Sequence, residues 1–327
     1  MAVKIVRQPK KIALIGACSS AAAFRAGTEK APAALRAAGL VEKLTDAGFA
    51  VNDMGDCPPR LFADDEEHRR ARNLPAIVAG LNDLRLHAET AIKGGALVLV
   101  LGGDCAQTIG LLAGARRYYK HIHLMWMDRD ADLNTPASTP SGRIDGMVVA
   151  HIIGRGAPEL VRFWSESPLV REPDVLLYGL DRLDPPEQEF LSKSPMRHVW
   201  AVDIQRKGAA ASAREAAAHL HTESREFVLH LDTDIIAQEE FPAVNVPGSG
   251  GLSFEDVRQS LREVVGQQTL VGLNVAQYNP ERDPDGAAAQ KLVGLLVAAL
   301  SVRLEGAAPE AAASVAADGP AAPEISS

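Results

Sequence analysis

Several things are scarce in this sequence. Only three cysteines occur in 327 residues, Cys18, Cys57 and Cys105. An odd, sparse count argues against a disulfide-stapled secreted scaffold and for a reducing compartment. Basic charge is in deficit, with 34 Lys and Arg against 42 Asp and Glu and a net charge of −8. A nucleic-acid or anionic-membrane partner needs a basic surface, so neither is expected. No uninterrupted run of eighteen apolar residues is present, and the basic start MAVKIVRQPKK is not followed by a signal-peptide h-region and cleavage site. A cytoplasmic location is therefore expected. There is no G-x-G-x-x-G after a strand, no Walker lysine motif, no G-x-S-x-G elbow, no internal repeat and no clear inter-domain linker.

What remains is an ordinary globular composition, 46% hydrophobic and 23% charged, long enough to bury a full core. Continuously apolar runs at 11–17, 96–104, 121–128, 174–181, 198–203, 227–232 and 269–277 predict strands buried on both faces. Helical patterns lie between them, at 31–48, 74–95 and 253–266, the last opening on a serine cap and acidic first turn. This alternation predicts an α/β fold, a three-layer sandwich around a central, mainly parallel sheet. Residues 1–304 read as one domain. The Ala/Pro-rich stretch 305–327 has almost no large apolar residue and reads as a disordered tail.

Ligands of such sheets bind at the carboxyl ends of strands. There, Asp128, Asp130 and Asp132 follow one apolar run, Asp232 and Asp234 another, and Asp104-Cys105 a third. A single aspartate at a strand end is ordinary. Five carboxylates converging on one crevice would repel each other unless protonated or neutralised by cations. A pair of divalent metals bridged by shared carboxylates fits this pattern best, although Asp-rich loops also hold single Ca²⁺ or Mg²⁺ ions. His121 and His123 lie at the wrong end of their strand to join this group and read as packing residues.

In these segments the chain resembles the ureohydrolases, the family of arginase, agmatinase and formiminoglutamase. GTEKAPAALRAAGL (27–40) is similar to the family's early Gly/Pro-Leu-Arg segment, and LGGDC (101–105) to its Gly-Gly-Asp-His motif. MDRDADLN (127–134) resembles Asp-Ala-His-x-Asp, LHLDTDIIAQEEFPAVNVPGSGGLS (229–253) the Ser-x-Asp-x-Asp segment, and QYNPERD (277–283) Glu-x-Asn-Pro-x-x-Asp. The resemblance implies a single α/β domain assembled as a homo-oligomer, a trimer or hexamer, acting on a small-molecule substrate. It implies hydrolysis of a guanidinium C–N bond with up to two Mn²⁺ ions held by Cys105, Asp128, Asp130, Asp132, Asp232 and Asp234. Asp132 would also handle the proton.

The sequence departs from the family at four positions. Cys105 and Asp130 stand where the two histidine ligands belong. Ligand number survives, but two neutral imidazoles become anions, which two divalent ions no longer balance. The thiolate shifts preference from Mn²⁺ towards Zn²⁺ or Fe. Gln277 replaces the arginase glutamate that contacts the guanidinium, and Asp145 a proton-shuttling histidine. An aspartate with its unperturbed pKa near ~4 is a poor general acid at neutral pH unless buried. Arg129 either compensates the extra negative charge or turns away to an ordinary ion pair. Other features of an arginase are kept: Asn134 and Ser141 where the family binds the amino acid's carboxylate, and Asp184 where it contacts the α-amino group.

The resemblance thus carries two readings. One is a metal-dependent hydrolase with catalytic Asp132 and Asp145 and substrate contacts at Asn134, Ser141, Asp184 and Gln277. The other is a catalytically degenerate, metal-free or singly metallated homologue serving as a binding or partner subunit. A third use of Cys105, as a nucleophile, needs a neighbouring base that the motifs do not supply.

Overall fold

The computed structural model describes residues 5–165, 168–220 and 226–305. The chain alternates strands and helices almost throughout. In order, these are β1 (Lys11–Gly16), α1 (Ala31–Ala37), α2 (Leu40–Asp46), β2 (Ala50–Asp56), α3 (Leu74–Lys93), β3 (Leu97–Leu101), α4 (Gln107–Arg116) and β4 (His123–Met127). Then follow α5 (Val148–Ile152), α6 (Pro158–Val161), β5 (Val175–Leu180), α7 (Pro185–Leu191), β6 (Arg197–Trp200), α8 (Ala201–Lys207) and α9 (Ala209–Leu220). The last elements are β7 (Phe227–Asp232), α10 (Phe254–Val265), β8 (Leu270–Ala276), α11 (Ala287–Leu300) and α12 (Val302–Glu305).

The eight strands form one parallel sheet in the order β2-β1-β3-β8-β7-β4-β5-β6. Because side chains alternate across a strand, the sheet feeds two cores. Leu99, Leu101, Met125, Met127, Leu229 and Leu231 face one side with residues of α1, α10 and α11. Val98, Val100, Leu124, Trp126 and Val228 face the other with residues of α3, α4 and α5. This is the expected three-layer sandwich.

Three local expectations need correction. The helical pattern at 31–48 is two helices, parted at Gly39, whose φ of 84° suits glycine but stops a helix. The run at 198–203 leaves the sheet after Trp200, because Ala201 already opens α8. An eighth strand, β2, carries no apolar signature, being a largely exposed edge strand of sequence AVNDMGD. The expected Ser253 cap is present, its Oγ accepting from Asp256 N at 3.0 Å. The tail predicted from residue 305 onward lies, beyond Glu305, outside the described residues. The stretch Ala287–Glu305 is long and apolar enough to cross a membrane by composition. Leu292, Val293, Leu296 and Leu300 of that stretch are buried in the first core.

Candidate metal centre and substrate pocket

Four neighbouring central strands, β3, β8, β7 and β4, build the site. Their register sets Leu101, Val275, Leu231 and Met127 in one row across the sheet. The chain therefore leaves all four strands at one level, and Asp128 emerges beside Asp232.

After β3 the backbone turns through Gly102 and Gly103, with φ of 71° and 80°. A Cβ at Gly103 would lie 2.6 Å from Ala17 O, so the turn requires glycine. Asp104 is fully buried and saturated, accepting from Ser19 Oγ at 2.6 Å, Gln107 Nε2 at 3.0 Å and Ala22 N at 3.1 Å. It anchors the loop, and its charge bears on Asp145. Cys105 comes next, with its Sγ donating to Asp232 Oδ2 at 3.0 Å.

Asp128 accepts from Trp126 Nε1 at 3.0 Å and from Asp130 N at 2.8 Å. Asp232 Oδ1 accepts from Asp234 N at 2.8 Å. The loop 128–134 does not continue β4 as an extended segment, since Asp132 has a φ of 50°. Asp128, Asp130 and Asp132 nonetheless face one small cavity with Cys105, Asp145, Asp232, Asp234 and Gln277. Gln277 has a φ of 67°. A non-glycine residue in the left-handed region costs about 1–3 kcal/mol, and such strain clusters at functional sites.

Burial dominates the electrostatics. It pushes the carboxyls of Asp128, Asp132, Asp145 and Asp234 well above the usual aspartate range, and neighbouring aspartates push them further. Asp232 is raised to about 6. Burial and then the charge of Asp232 raise the Cys105 thiol as well. A thiol held protonated in this way is a weak nucleophile. Such a crowd either keeps its protons or gives them up to a divalent cation. The donor set fits a cation on two counts. Asp234 Oδ1 is buried without a hydrogen-bond partner among the described residues. Ligand atoms of Asp128, Asp130 and Asp234, and of Cys105, Asp128, His230 and Asp232, lie within 4.8 Å of one another in two groups. Asp132 falls in neither group.

A larger cavity of about 330 Å³ shares Asp130 and Asp132 with this floor and is also lined by Asn134, Ser141 and Asp184. Asn134 Nδ2 donates to Asp184 Oδ2 at 2.8 Å. Ser141 Oγ accepts from Arg143 N at 3.1 Å. Gln277 Nε2 donates to Asp145 Oδ2 at 2.5 Å and to Cys105 Sγ at 3.2 Å, while its Oε1 is buried without a partner among the described residues.

Of the two expectations for Arg129, compensation of the extra carboxylate is corrected, while an ion pair away from it is found, with Asp181. The Arg129 side chain is buried, and it does not pair with Asp130. It donates to the carbonyls of Gly248 and Ser249 and lies 3.4 Å from Asp181, so it pins the glycine-rich loop. The cation that meets the extra carboxylate is Arg182, which grips both oxygens of Asp130 through Nε and Nη2. Sequence reasoning missed Arg182 because it follows a different strand. It also missed His230, which sits inside β7 within an apolar run and reads there as core. His230 is two residues before Asp232, so strand alternation puts both on one face.

His123 lies at the opposite end of β4, with Nε2 3.8 Å from Asp174. Cys18 and Cys57 are outside the cluster, and burial raises their thiols to about 11 and about 12.

The model of the arginase family matches residues 10–301. The chain is 30% identical over 294 residues to the arginase of Bacillus caldovelox, covering 88% of this chain and 98% of the relative. It is 30% identical over 297 residues to the arginase of Bacillus subtilis, covering 90% and 99%. Among solved structures, the arginase of Bacillus cereus superposes with a TM-score of 0.82 at 30% identity, covering 89% of this chain and 98% of that one. Formimidoylglutamase of Bacillus subtilis, at 16% identity, shares the fold with a TM-score of 0.73, covering 92% and 88%.

Proposed function

The chain belongs to the arginase family, and on that premise we propose that it is a metal-dependent hydrolase of a C–N bond in a guanidino- or amidino-bearing amino acid or related compound. The observation that carries this reading is the stacking of two chemistries: a cavity of about 330 Å³ that includes Asn134, Ser141 and Asp184 in its wall shares Asp130 and Asp132 with a floor of carboxylates. Cys105, Asp128, Asp130, Asp132, Asp232 and Asp234 are the residues that would hold up to two divalent ions. A divalent cation at this floor supplies Lewis acidity and lowers the pKa of a water enough to make hydroxide available at neutral pH.

The polypeptide supplies binding and proton handling. Asn134, Ser141 and Asp184 would receive the α-carboxylate and α-amino groups at the mouth. Gln277 Oε1, buried without a partner among the described residues, would accept an N–H from the amidino end. Burial raises the Asp145 carboxyl well above the usual aspartate range, the direction a carboxylic acid needs to act near neutral pH. Asp132 borders both cavities and is the second group placed to move a proton.

A thermal-shift panel tests the reading, using protein purified without chelator. Arginine, agmatine, guanidinobutyrate and hydroxyarginine are compared with and without added Mn²⁺, Fe²⁺, Co²⁺ or Zn²⁺. Stabilisation by a divalent ion, and then only by ligands bearing an α-amino carboxylate, is the expected result. Indifference to every ion supports the second reading, a non-catalytic binding or partner subunit. That reading draws on the Arg182–Asp130 pair, which sets a guanidinium beside a metal-ligand position.

A further inference from the structure

His230 is fully buried on β7 and stacks on Trp126, with ring centroids 3.5 Å apart and planes inclined by 10°. Its Nδ1 lies 2.8 Å from Thr108 Oγ1 and 3.4 Å from Asn274 Nδ2, and Asn274 Nδ2 donates to Thr108 Oγ1 at 3.0 Å. Its Nε2 has no hydrogen-bond partner among the described residues. A tautomer protonated on Nδ1 donates to Thr108 and leaves a lone pair on Nε2, the arrangement that orients histidines as metal ligands. A ring nitrogen of His230 lies within 4.8 Å of Cys105 Sγ and of carboxylate oxygens of Asp128 and Asp232, and those three ligand atoms are equally close to one another.

We propose that Cys105, Asp128, His230 and Asp232 form a mononuclear metal site in which His230 supplies the imidazole that position 105 no longer provides, and that it takes a thiophilic ion, Zn²⁺ or Fe²⁺, ahead of Mn²⁺. This deepens the metal-hydrolase reading above and rests on it. One thiolate, one imidazole and two carboxylates are donors of the kind zinc favours, and a hydrolytic water would join them as a fifth ligand. Zinc–ligand bonds of roughly 2.0–2.3 Å imply donor–donor separations of roughly 3.3–3.7 Å, within the 4.8 Å in which the four donors lie. Charge balance improves too. The site presents three anions to one dication, while Arg182 holds Asp130. The two-metal arrangement, which in this chain would gather six anions, is no longer needed.

Metal titration and X-ray absorption on the full-length protein test the proposal. Zn²⁺ or Co²⁺ loading is expected to give one ion per chain, with one sulfur and one imidazole in the absorption fine structure. The cobalt protein is expected to show a thiolate charge-transfer band. His230→Gln is expected to lower affinity by about 10-fold or more, at least the loss seen when a histidine's outer partner is removed. Cys57→Ser, at a thiol outside the cluster, is expected to leave affinity and the sulfur signal unchanged. The wild-type spectrum stands even if a variant fails to fold. A bound ion with no imidazole neighbour, or one whose affinity is the same in a folded His230→Gln, overturns the proposal and leaves the hydrolase reading intact. Failure of the wild type to bind any ion overturns both.

Discussion

Asp145 and Gln277 are joined at 2.5 Å, and that contact turns two separate departures into one. In the sequence they stand 132 residues apart and read as independent losses of an arginase histidine and an arginase glutamate. In the fold the amide is the donor a buried carboxyl needs, so the two side chains answer each other. Gln277→Glu alone would set a second carboxylate against Asp145, and we expect it to cost about 1–3 kcal/mol. Asp145→His with Gln277→Glu should recover part of that loss. A double-mutant cycle by thermal denaturation is expected to show coupling of about 0.5–3 kcal/mol, and additive single effects would show that the two positions act independently. Arg182 gives a second test at this scale. Asp128, Asp130 and Asp234 form a second group of close donors, but Arg182 occupies both oxygens of Asp130. Arg182→Ala is expected to raise bound Co²⁺ or Mn²⁺ from one towards two per chain, as read by metal analysis after gel filtration. A folded variant that still binds one ion would remove Arg182 from the account. The sequence showed the excess of negative charge but not which arginine meets it, because that depends on how the segments after β4 and β5 approach each other.

At the scale of elements, Asp184 has two roles that a simple truncation would confuse. It borders the larger cavity, and it is also the N-cap residue of α7. Glu187 Oε2 accepts from Asp184 N at 2.9 Å, and Glu187 Oε1 accepts from Leu133 N at 2.8 Å. One helix start thus ties the Asp184 turn to the loop that carries Asp132 and Asn134. Asp184→Ala should lose helix stability, about 1 kcal/mol, together with ligand affinity. Asp184→Asn keeps a good capping residue and removes the charge. It is expected to leave Tm nearly unchanged while raising KM for α-amino substrates, or weakening their thermal shift. Equal Tm losses in both variants would assign Asp184 to the helix alone. The motif spacing revealed the aspartate. It could not reveal the cap's link to Leu133, which depends on the β4 and β5 exits being adjacent. Strands with continuous apolar runs were legible for the same reason that they are central, since both faces are buried. The edge strand β2 was not, because exposure removes that signature.

For the whole molecule, the parallel sheet places its anionic residues at one edge, and stability should then depend on both pH and metal. Asp232, fully buried, titrates near 6 in the fold against about 4 in an unfolded chain, and Asp128 and Asp234 are raised further. A carboxyl with a raised folded-state pKa binds its proton more tightly in the native state. Its contribution is complete below the unfolded value and is lost as pH rises through the folded one. The metal-free protein is therefore expected to lose stability as pH climbs from about 4 past about 6. A bound divalent cation replaces those protons and adds stability by mass action, about 4 kcal/mol at a thousand times its Kd. The quantity to measure is the difference in Tm between metal-loaded and chelator-treated protein across that range, since titrations elsewhere in the fold cancel. It should widen with rising pH. A difference that stays flat would mean the carboxylates at the strand ends are neither desolvated nor held together as the register of β4, β7, β8 and β3 requires.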